Sequence, residues 1–440
     1  MKKIIKYFFL SLLLGLAYIV YANYPRLDII TGYASKSTTS VVFLADRTAS
    51  SAEKVDNNFS PINTAKSEVN QTEKSATAKV YGLKSRTAIY REGLGTVLIN
   101  DDYDKNAPYL VPKRNKATKN LPFPYGNLPQ KDTIFSNIDY KKLNAIVAKS
   151  FDSINKTRSV LVIYKDQILA EKHADGFDNN SLHLGWSMTK SVVATMYGIL
   201  QKEGKLDISN KAPIDVWKDD ERAEITINNL LQMNSGLEWL EDYDNISDVT
   251  KMLFLATDMP KVQIDKPFVG KPNESWNYSS GTSNLLSGML RNYFKTHQEY
   301  LDFWYEDLID RIGMHSMLIE SDLAGNYVGS SYGWASTSDW AKFGLLYLHK
   351  GNWNGDQLFD ASWADYVANP TATSNGEYGG HFWLNAGGVY PDAPKDIYSA
   401  NGYQGQRVFI IPSKDLVVVR MGLGSMDFND LLKEVVGSVN

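Results

Sequence analysis

Two hairpin patterns, one on each side of a long helical stretch, constrain the fold of this chain more than any other feature. Residues 158–164 and 168–173 are alternating apolar runs around a short polar break, and residues 406–411 and 416–421 repeat the pattern. Such paired runs are typical of β-hairpins. Because roughly 230 residues with mainly helical periods separate the two, we predict an antiparallel sheet built from both ends of this region. Helices would flank the sheet, and a mostly helical lobe would be inserted between its two halves, which is an α/β (α+β) fold class.

The 440 residues are enough for two or three domains. The domain with the hairpins is predicted to extend over residues 136–440, after a small N-terminal extension at 23–135. Three prolines within residues 115–130 indicate the boundary between them.

Within the extension, residues 38–45 and 90–101 are predicted to form short strands. Residues 49–79 are rich in Ser, Asn, Thr, Lys and Glu and nearly lack large apolar side chains. A segment of this composition buries little apolar surface, so we expect it to be mobile or loosely packed.

The first 22 residues have the pattern of an export signal. Lys2, Lys3 and Lys6 precede the uncharged apolar run at residues 7–22, an order typical of signal peptides. The run is slightly long for a signal core and slightly short of the roughly 20 residues that span a bilayer. Cleavage after Ala22 and retention as a membrane anchor therefore both remain open. Either outcome predicts a location in the periplasm or cell envelope.

Composition excludes several functions. The chain has no Cys, which excludes disulfides, thiolate metal sites and a cysteine nucleophile. Its 46 basic and 50 acidic side chains give a formal charge of -4, so it lacks the basic excess that binds nucleic acid. The six histidines form no H-E-x-x-H motif. The sequence thus implies neither a metal nor an organic cofactor.

A serine followed three residues later by a lysine occurs three times, so the motif needs its context. The pairs are Ser51 with Lys54, Ser153 with Lys156, and Ser187 with Lys190. Ser51 lies in the polar stretch and Ser153 lies on the outer end of a predicted amphipathic helix, so both are interpreted as solvated surface residues. Ser187, in contrast, directly precedes an apolar helix predicted over residues 188–201.

The position of Ser187 at a helix start favours a catalytic pair with Lys190. The partial positive charge of the helix N-terminus and the exclusion of water both lower the lysine pKa. The neutral amine can then take the hydroxyl proton and activate Ser187 as a nucleophile. The alternative is a serine N-cap beside a solvated lysine, and these residues alone leave both interpretations open.

Five segments of the chain resemble the serine β-lactamase-like hydrolases. This family includes class C β-lactamases, D-Ala-D-Ala carboxypeptidases, related esterases and the 6-aminohexanoate-dimer (nylon-oligomer) hydrolases, and the resemblance is greatest to the last branch. In the family's order, the segments are GWSMTKSVVATMYGIL (185–200), LLQMNSGLEW (230–239), WNYSSGTSNLLSGML (276–290), GWASTSDWAKFGLLYL (333–348) and NGYQGQRVFIIP (401–412). The resemblance extends from about residue 140 to the end. It implies a β-lactamase/transpeptidase-like fold and cleavage of a small-molecule amide or ester through an acyl-enzyme on Ser187.

The resemblance also implies roles for individual residues. Tyr278 would be the second base and proton relay beside Lys190, although a core tyrosine is its alternative. The backbone N–H groups of Ser187 and Gln406 would form the oxyanion hole. Tyr243 lies where nylon-oligomer hydrolases place a loop tyrosine that binds the leaving amine; its alternative is an exposed loop aromatic.

Two departures from the family pattern bear on the substrate. Tyr403-Gln404-Gly405 stands where carboxypeptidases and β-lactamases usually begin the third motif with Lys or His, and Ser280 stands where β-lactamases have Asn. Ser280, Tyr403 and Gly405 would still line the substrate site. Both changes weaken recognition of a carboxylate and of an acylamido side chain, so a small amide or ester is favoured over a β-lactam.

Two alternatives remain beside this prediction. The first is a catalytically silent envelope module that binds peptidoglycan or peptides on the same fold. The second is an α/β-hydrolase with Ser331 as nucleophile, since residues 329–333 match G-x-S-x-G and His381 lies downstream. Residues 322–328 form a poor strand pattern for that motif.

Overall fold

The computed structural model describes residues 2–440. Its α-helices are α1 Lys2–Phe43, α2 Ala49–Ser51, α3 Tyr140–Lys149, α4 Met188–Lys202, α5 Ile227–Leu231, α6 Asp248–Leu255, α7 Met259–Ile264, α8 Ser280–Met289, α9 His297–Trp304, α10 Thr337–Leu348, α11 Ala361–Val367 and α12 Phe428–Val436. Its strands are β1 Lys66–Asn70, β2 Ser75–Val80, β3 Lys84–Arg91, β4 Gly95–Ile99, β5 Thr157–Tyr164, β6 Gln167–His173, β7 His183–Leu184, β8 Leu318–Ile319, β9 Gly333–Ala335, β10 Asn352–Trp353, β11 Asp356–Gln357, β12 Trp383–Leu384, β13 Tyr398–Gly402, β14 Gln406–Ile411 and β15 Leu416–Gly422. Short π-helical turns occupy Ala52–Asp56 and Tyr305–Ile309.

The chain divides into two compact units with boundaries that differ from the predicted ones. The N-terminal unit contains residues 1–91, 96–106 and 240–257, and the larger unit contains residues 92–95, 107–239 and 258–440. Residues 107–135 therefore belong to the larger unit rather than to the extension. Arg114 shows why, because its guanidinium pairs with Asp310 at 2.7 Å inside that unit.

The N-terminal unit consists of α1 and α6 beside a four-stranded antiparallel sheet in the order β1-β2-β3-β4. The side chains of Ile4 and Leu13 on the first half of α1 are exposed, whereas Ile30 and Val41 on its second half are buried. Helix α6 packs on α1, with the rings of Tyr33 and Phe254 5.5 Å apart. Within residues 2–440, no helix combines the length and the apolar character that crossing a membrane requires.

Two predictions for this unit are wrong. Residues 38–43 continue α1 instead of forming a strand, because packing of α1 on β2 and β3 outweighs the strand propensity of its β-branched side chains. Residues 49–79 are not loosely packed, since they contain β1 and β2. Small apolar side chains at Ala76 and Ala78 alternate with polar ones and are fully buried, so a polar composition here reflects a sheet with one exposed face.

The larger unit has the predicted architecture, a six-stranded antiparallel sheet in the order β12-β13-β14-β15-β5-β6. Both predicted hairpins are present, and β15 pairs with β5 so that Val418 lies opposite Val162. Helices α4 and α10 cover one face of the sheet and α3 and α12 cover the other. The mostly helical lobe lies between β6 and β12 in the sequence. The α+β fold class is thus confirmed.

Candidate active site

Ser187 lies on a tight turn between β7 and α4. Trp186 before it has φ 49°, a left-handed conformation that costs free energy in a non-glycine residue and is common at functional sites. Ser187 is partly exposed between the buried Trp186 and Met188. Its hydroxyl makes no capping hydrogen bond to α4. The N-cap interpretation is therefore wrong, and the hydroxyl is available for other partners.

The main partner of that hydroxyl is Lys190, which is 2% exposed. Lys190 Nζ lies 3.0 Å from Ser187 Oγ, 2.9 Å from Ser280 Oγ and 2.8 Å from the carbonyl oxygen of Ser330. A carbonyl only accepts, so one N–H of Lys190 must point at Ser330. A neutral amine in this position can donate to Ser280 as well and accept the Ser187 proton with its lone pair. The solvated-lysine interpretation is wrong.

Tyr278 completes the group that the sequence predicts. Its ring centroid lies 5.0 Å from Lys190 Nζ. In the sequence, Tyr278 directly precedes Ser279, whose side chain caps the start of α8. The structure therefore brings Ser187, Lys190, Tyr278 and Ser280 together, although they are up to 93 residues apart in sequence.

An aromatic cluster that the sequence analysis missed surrounds Tyr278. The ring of Tyr278 lies 5.2 Å from Trp383, 5.8 Å from Tyr378 and 6.5 Å from Trp276. Trp276 lies in one of the quoted segments, but Tyr378 and Trp383 lie in a stretch without a motif. Only the tertiary fold brings them to Tyr278.

The end of β13 and the turn after it lie against the residues before Ser187. A Cβ on Gly402 would lie 2.0 Å from the carbonyl oxygen of Gly185, and the rings of Trp186 and Tyr403 are 5.5 Å apart. Gly405 has φ 79°, and Gln406 begins β14. Its side chain amide accepts from Gly422 N at 2.9 Å and donates to Gly422 O. The oxyanion role of the Gln406 backbone N–H stays a prediction.

Tyr243 belongs to the N-terminal unit, within residues 240–257. Its hydroxyl lies 3.4 Å from Glu241 Oε1. Its role at a leaving amine stays a prediction.

His381 is a buried link between α4 and α8 that the sequence analysis considered only for a rival mechanism. Its Nδ1 lies 2.6 Å from Leu231 O, so Nδ1 is the donor, and its Nε2 accepts from Ser283 Oγ at 3.0 Å. Ser191 donates to His381 O at 2.7 Å. Burial lowers the pKa of His381 to about 3, although its hydrogen bond to Leu231 acts in the opposite direction. His381 is therefore a neutral structural residue.

The α/β-hydrolase alternative is wrong. Ser331 is fully buried and lies in a turn that leads into the strand β9, whereas a nucleophile elbow leads from a strand directly into a helix. The neighbouring Ser330 contributes a carbonyl to Lys190 instead. Within residues 2–440, no three His, Asp or Glu side chains are grouped so as to hold a metal ion.

Solved structures similar to this chain share its fold. A provisionally named 6-aminohexanoate-dimer hydrolase from Bacillus anthracis aligns with a TM-score of 0.55 and 18% identity, covering 64% of this chain and 78% of that chain. A penicillin-binding protein from Bacillus halodurans aligns with a TM-score of 0.52 and 16% identity, covering 67% and 99%. A family VIII carboxylesterase aligns with a TM-score of 0.53 and 14% identity, covering 68% and 96%. No curated protein sequence matches significantly.

The family follows from the sequence match together with this fold. Residues 155–422, more than half of the chain, match the family model described as Beta-lactamase. That range contains Ser187, Lys190, Tyr278 and Ser280. The chain therefore belongs to the β-lactamase family and is a serine hydrolase.

Proposed function

We propose that this protein is an exported hydrolase that cleaves a small amide or ester through an acyl-enzyme on Ser187. Lys190 and Tyr278 would transfer the protons. The contact that carries the proposal is the 3.0 Å separation of Lys190 Nζ and Ser187 Oγ, with the same Nζ directed at Ser330 O. The distance is suitable for direct proton transfer, and the carbonyl orients the amine for it.

Acylation begins when neutral Lys190 takes the Ser187 proton and Oγ bonds to the substrate carbonyl carbon. Burial disfavours a charged amine, and Lys190 is buried, which supports a neutral starting form. The carbonyl oxygen becomes an oxyanion bound by the N–H groups of Ser187 and Gln406. The bond to the leaving group then breaks, and that group receives the proton from Lys190 through the Tyr278 hydroxyl.

Deacylation repeats these steps with water as the nucleophile. Lys190 and Tyr278 take a proton from water, whose oxygen bonds to the acyl carbon. The bond to Ser187 Oγ breaks, and the proton returns to that oxygen. The products are a free acid and regenerated Ser187, so atoms and charges balance without a cofactor.

The surroundings of Tyr278 support a small substrate with a flat or apolar group. The partly exposed rings of Trp276 and Trp383 lie beside it, and the buried ring of Tyr378 packs against all three. Partly exposed aromatic rings of this kind favour apolar and planar ligands. Ser280, where β-lactamases have Asn, makes a hydrogen bond to Lys190. That contact engages its hydroxyl, which supports the preference for simple amides and esters over β-lactams.

Export is proposed from Lys2, Lys3 and Lys6 and the apolar run at residues 7–22. The described side chains from Ile4 to Tyr21 are exposed on α1, so cleavage after Ala22 would remove none of the buried core. Fractionation of the producing cells and sequencing of the mature N-terminus test this part. A mature N-terminus at Asn23 indicates cleavage, an intact one in the membrane fraction indicates an anchor, and cytoplasmic protein contradicts export.

A substrate panel tests the reaction. Purified protein should be assayed with p-nitrophenyl esters, aminohexanoate oligomers, D-Ala peptides and nitrocefin, beside Ser187→Ala and Lys190→Ala. We expect turnover of esters or small amides by the wild type, and at least a 10³-fold loss in both variants. A folded wild-type protein without turnover of any member would favour the silent binding module instead.

A further inference from the structure

Each carbonyl of the turn from Gly402 to Gln406 accepts a hydrogen bond from a side chain of the larger unit. Arg407 Nη1 donates to Gly402 O at 3.0 Å and to Gln406 O at 2.8 Å. Arg420 Nη1 donates to Gln404 O at 3.2 Å and to Gly405 O at 3.0 Å. Gln406 Nε2 donates to Tyr403 O at 3.2 Å. Two arginines thus bind four of the five carbonyls.

The direction of each carbonyl sets the direction of the next amide. In a trans peptide the N–H points opposite to the C=O, and no peptide of this turn is cis. Arg407 at Gly402 O therefore orients the N–H of Tyr403, and Arg420 at Gly405 O orients the N–H of Gln406. Both N–H groups point away from the arginines. Since the ring of Tyr403 lies 5.5 Å from that of Trp186, this is the turn that approaches the nucleophile.

We propose that Arg407 and Arg420 are positioning residues for the oxyanion hole of the Ser187 site. Their guanidinium groups bind the carbonyl oxygens on one side of the turn, so an N–H of the same peptide groups points to the opposite side, toward the substrate oxygen. The inference rests on the proposed function, because it needs a tetrahedral intermediate at Ser187.

The backbone of the turn explains why such positioning is needed. Gln404 has φ 59° and Gly405 has φ 79°, so two successive residues adopt a left-handed conformation. That conformation is strained in a residue with a Cβ, such as Gln404. It persists only where the surroundings determine it strongly, and the hydrogen bonds of Arg420 to both residues supply that constraint.

The surroundings of Arg420 show a guanidinium dedicated to this turn. Arg420 is fully buried, and its remaining N–H groups donate to Thr157 Oγ1 at 3.1 and 3.2 Å and to Asn155 O. Among the described residues it makes no ion pair with a carboxylate. Burial, with the nearby charges of Arg407 and Arg158, lowers the pKa of Arg420 to about 9. A buried positive charge without a carboxylate partner also stabilises negative charge that develops in front of the turn.

Arg407 occupies the neighbouring position on the same face of the sheet. It lies opposite Arg420 across β14 and β15, and directly paired residues share a face. Its guanidinium lies 4.6 Å from the ring centroid of Phe428, which fixes the side chain beneath the turn. The two arginines therefore form one continuous support for Gly402–Gln406.

The test compares Arg420→Lys and Arg407→Lys with the wild type. Lysine keeps the charge but cannot bind two carbonyls with a planar fork. We expect kcat on a p-nitrophenyl ester to fall about 10–100-fold in at least one variant, with KM within about twofold. The affinity for an aryl trifluoromethyl ketone, whose serine adduct carries an oxyanion, should fall by the same factor. A purely structural role would not move these two quantities together.

The matched control is Arg114→Lys. Arg114 is another mostly buried arginine, paired with Asp310 and stacked on Tyr305 at 4.1 Å, so it reports the general cost of changing a buried guanidinium. We expect its melting temperature to fall while kcat and ketone affinity stay at the wild-type values. A loss confined to Arg420→Lys assigns the oxyanion donor to Gln406, and a loss confined to Arg407→Lys assigns it to Tyr403.

The inference is overturned if both lysine variants fold and keep kcat and ketone affinity within twofold of the wild type. If either variant fails to fold, Thr157→Val is the substitute, because it removes the hydroxyl that accepts two hydrogen bonds from Arg420. We expect this variant to lower kcat several-fold. An unchanged kcat would equally overturn the role of Arg420. An inactive wild-type enzyme in the same assay would instead contradict the proposed function, so the two failures are distinguishable.

Discussion

Lys190 Nζ lies 2.9 Å from Ser280 Oγ, about as close as its 3.0 Å distance to Ser187 Oγ. The amine therefore has two hydroxyl partners, and the carbonyl of Ser330 fixes its third direction. Ser280 is the first residue of α8, which places its hydroxyl at a helix start facing Lys190. Lys190 is thus oriented by groups from the turn before α4, from α8 and from the turn before β9.

Ser280→Ala tests this orientation. Removing one partner leaves a buried amine with fewer hydrogen bonds, a loss of about 1–2 kcal/mol. We expect kcat to fall about 10-fold, with Ser187 still reactive but slower. Steady-state kinetics on an ester measure the effect. A kcat equal to that of the wild type would show that Ser280 does not orient Lys190.

Tyr278→Phe separates the phenol hydroxyl from the aromatic packing. Phenylalanine retains the contacts with Trp276, Tyr378 and Trp383 but cannot relay a proton. We expect kcat to fall about 10²–10⁴-fold with little change in KM. Tyr197→Phe is the matched control, because its hydroxyl donates to Leu286 O at 2.9 Å within the core. That variant should lose about 1 kcal/mol of stability and keep its activity; equal kinetic losses in both variants would contradict the relay.

His381 predicts how stability depends on pH. The pKa of the His381 imidazole is about 3 in the folded protein, whereas that of a histidine in an unfolded chain is about 6.5. Below pH 6.5 the unfolded state binds a proton that the native state excludes, so stability present above pH 6.5 is lost as the pH falls toward 3. Between pH 7.5 and pH 4.5, the titration of His381 should lower the free energy of unfolding by about 2–3 kcal/mol.

Urea unfolding of the wild type and His381→Asn at both pH values measures this loss. The difference in unfolding free energy between the two proteins should shrink by that amount at pH 4.5. Asp322, whose pKa burial raises to about 6, contributes with the opposite sign in both proteins and cancels in the comparison. A difference that does not change with pH would contradict a neutral His381.

Removal of residues 1–22 should leave the folded protein intact. Leu13 is 65% exposed, and burial on α1 begins only in the second half of the helix. We expect the melting temperature of the truncated protein to lie within about 2 °C of that of the full chain. A large decrease would show that the apolar run contributes to the fold.

Sequence patterns predicted those parts of the molecule that depend on local spacing. Lys190 lies one turn after Ser187 on a helix, so the motif itself places both side chains on one face. The two hairpins have local turns, and their pairing into one sheet follows from simple topology. In contrast, the Ser330 carbonyl reaches Lys190 across 140 residues. A backbone group carries no signal in the residue type, so this contact could not be predicted.

The errors in the N-terminal unit have one physical cause. Thr38 and Thr39 have strand propensity, and the polar residues 49–79 have the composition of a loop, but tertiary packing overrides both. Thr39 donates to Ser35 O at 2.8 Å within α1, and the alanines of β2 are buried. Because alanine is only weakly hydrophobic, the alternation of buried alanines with polar residues at 75–80 does not stand out as a strand pattern in the sequence.

Fluorophosphonate labelling followed by peptide mass spectrometry tests the central claim most directly. The reagent forms a covalent bond only with an activated serine, and the wild type, Ser187→Ala and Ser331→Ala should be compared at equal folding. We predict a single adduct on the peptide that contains Ser187 in the wild type and in Ser331→Ala, and none in Ser187→Ala. An adduct that persists in Ser187→Ala, or a wild-type protein that stays unlabelled, would contradict the account.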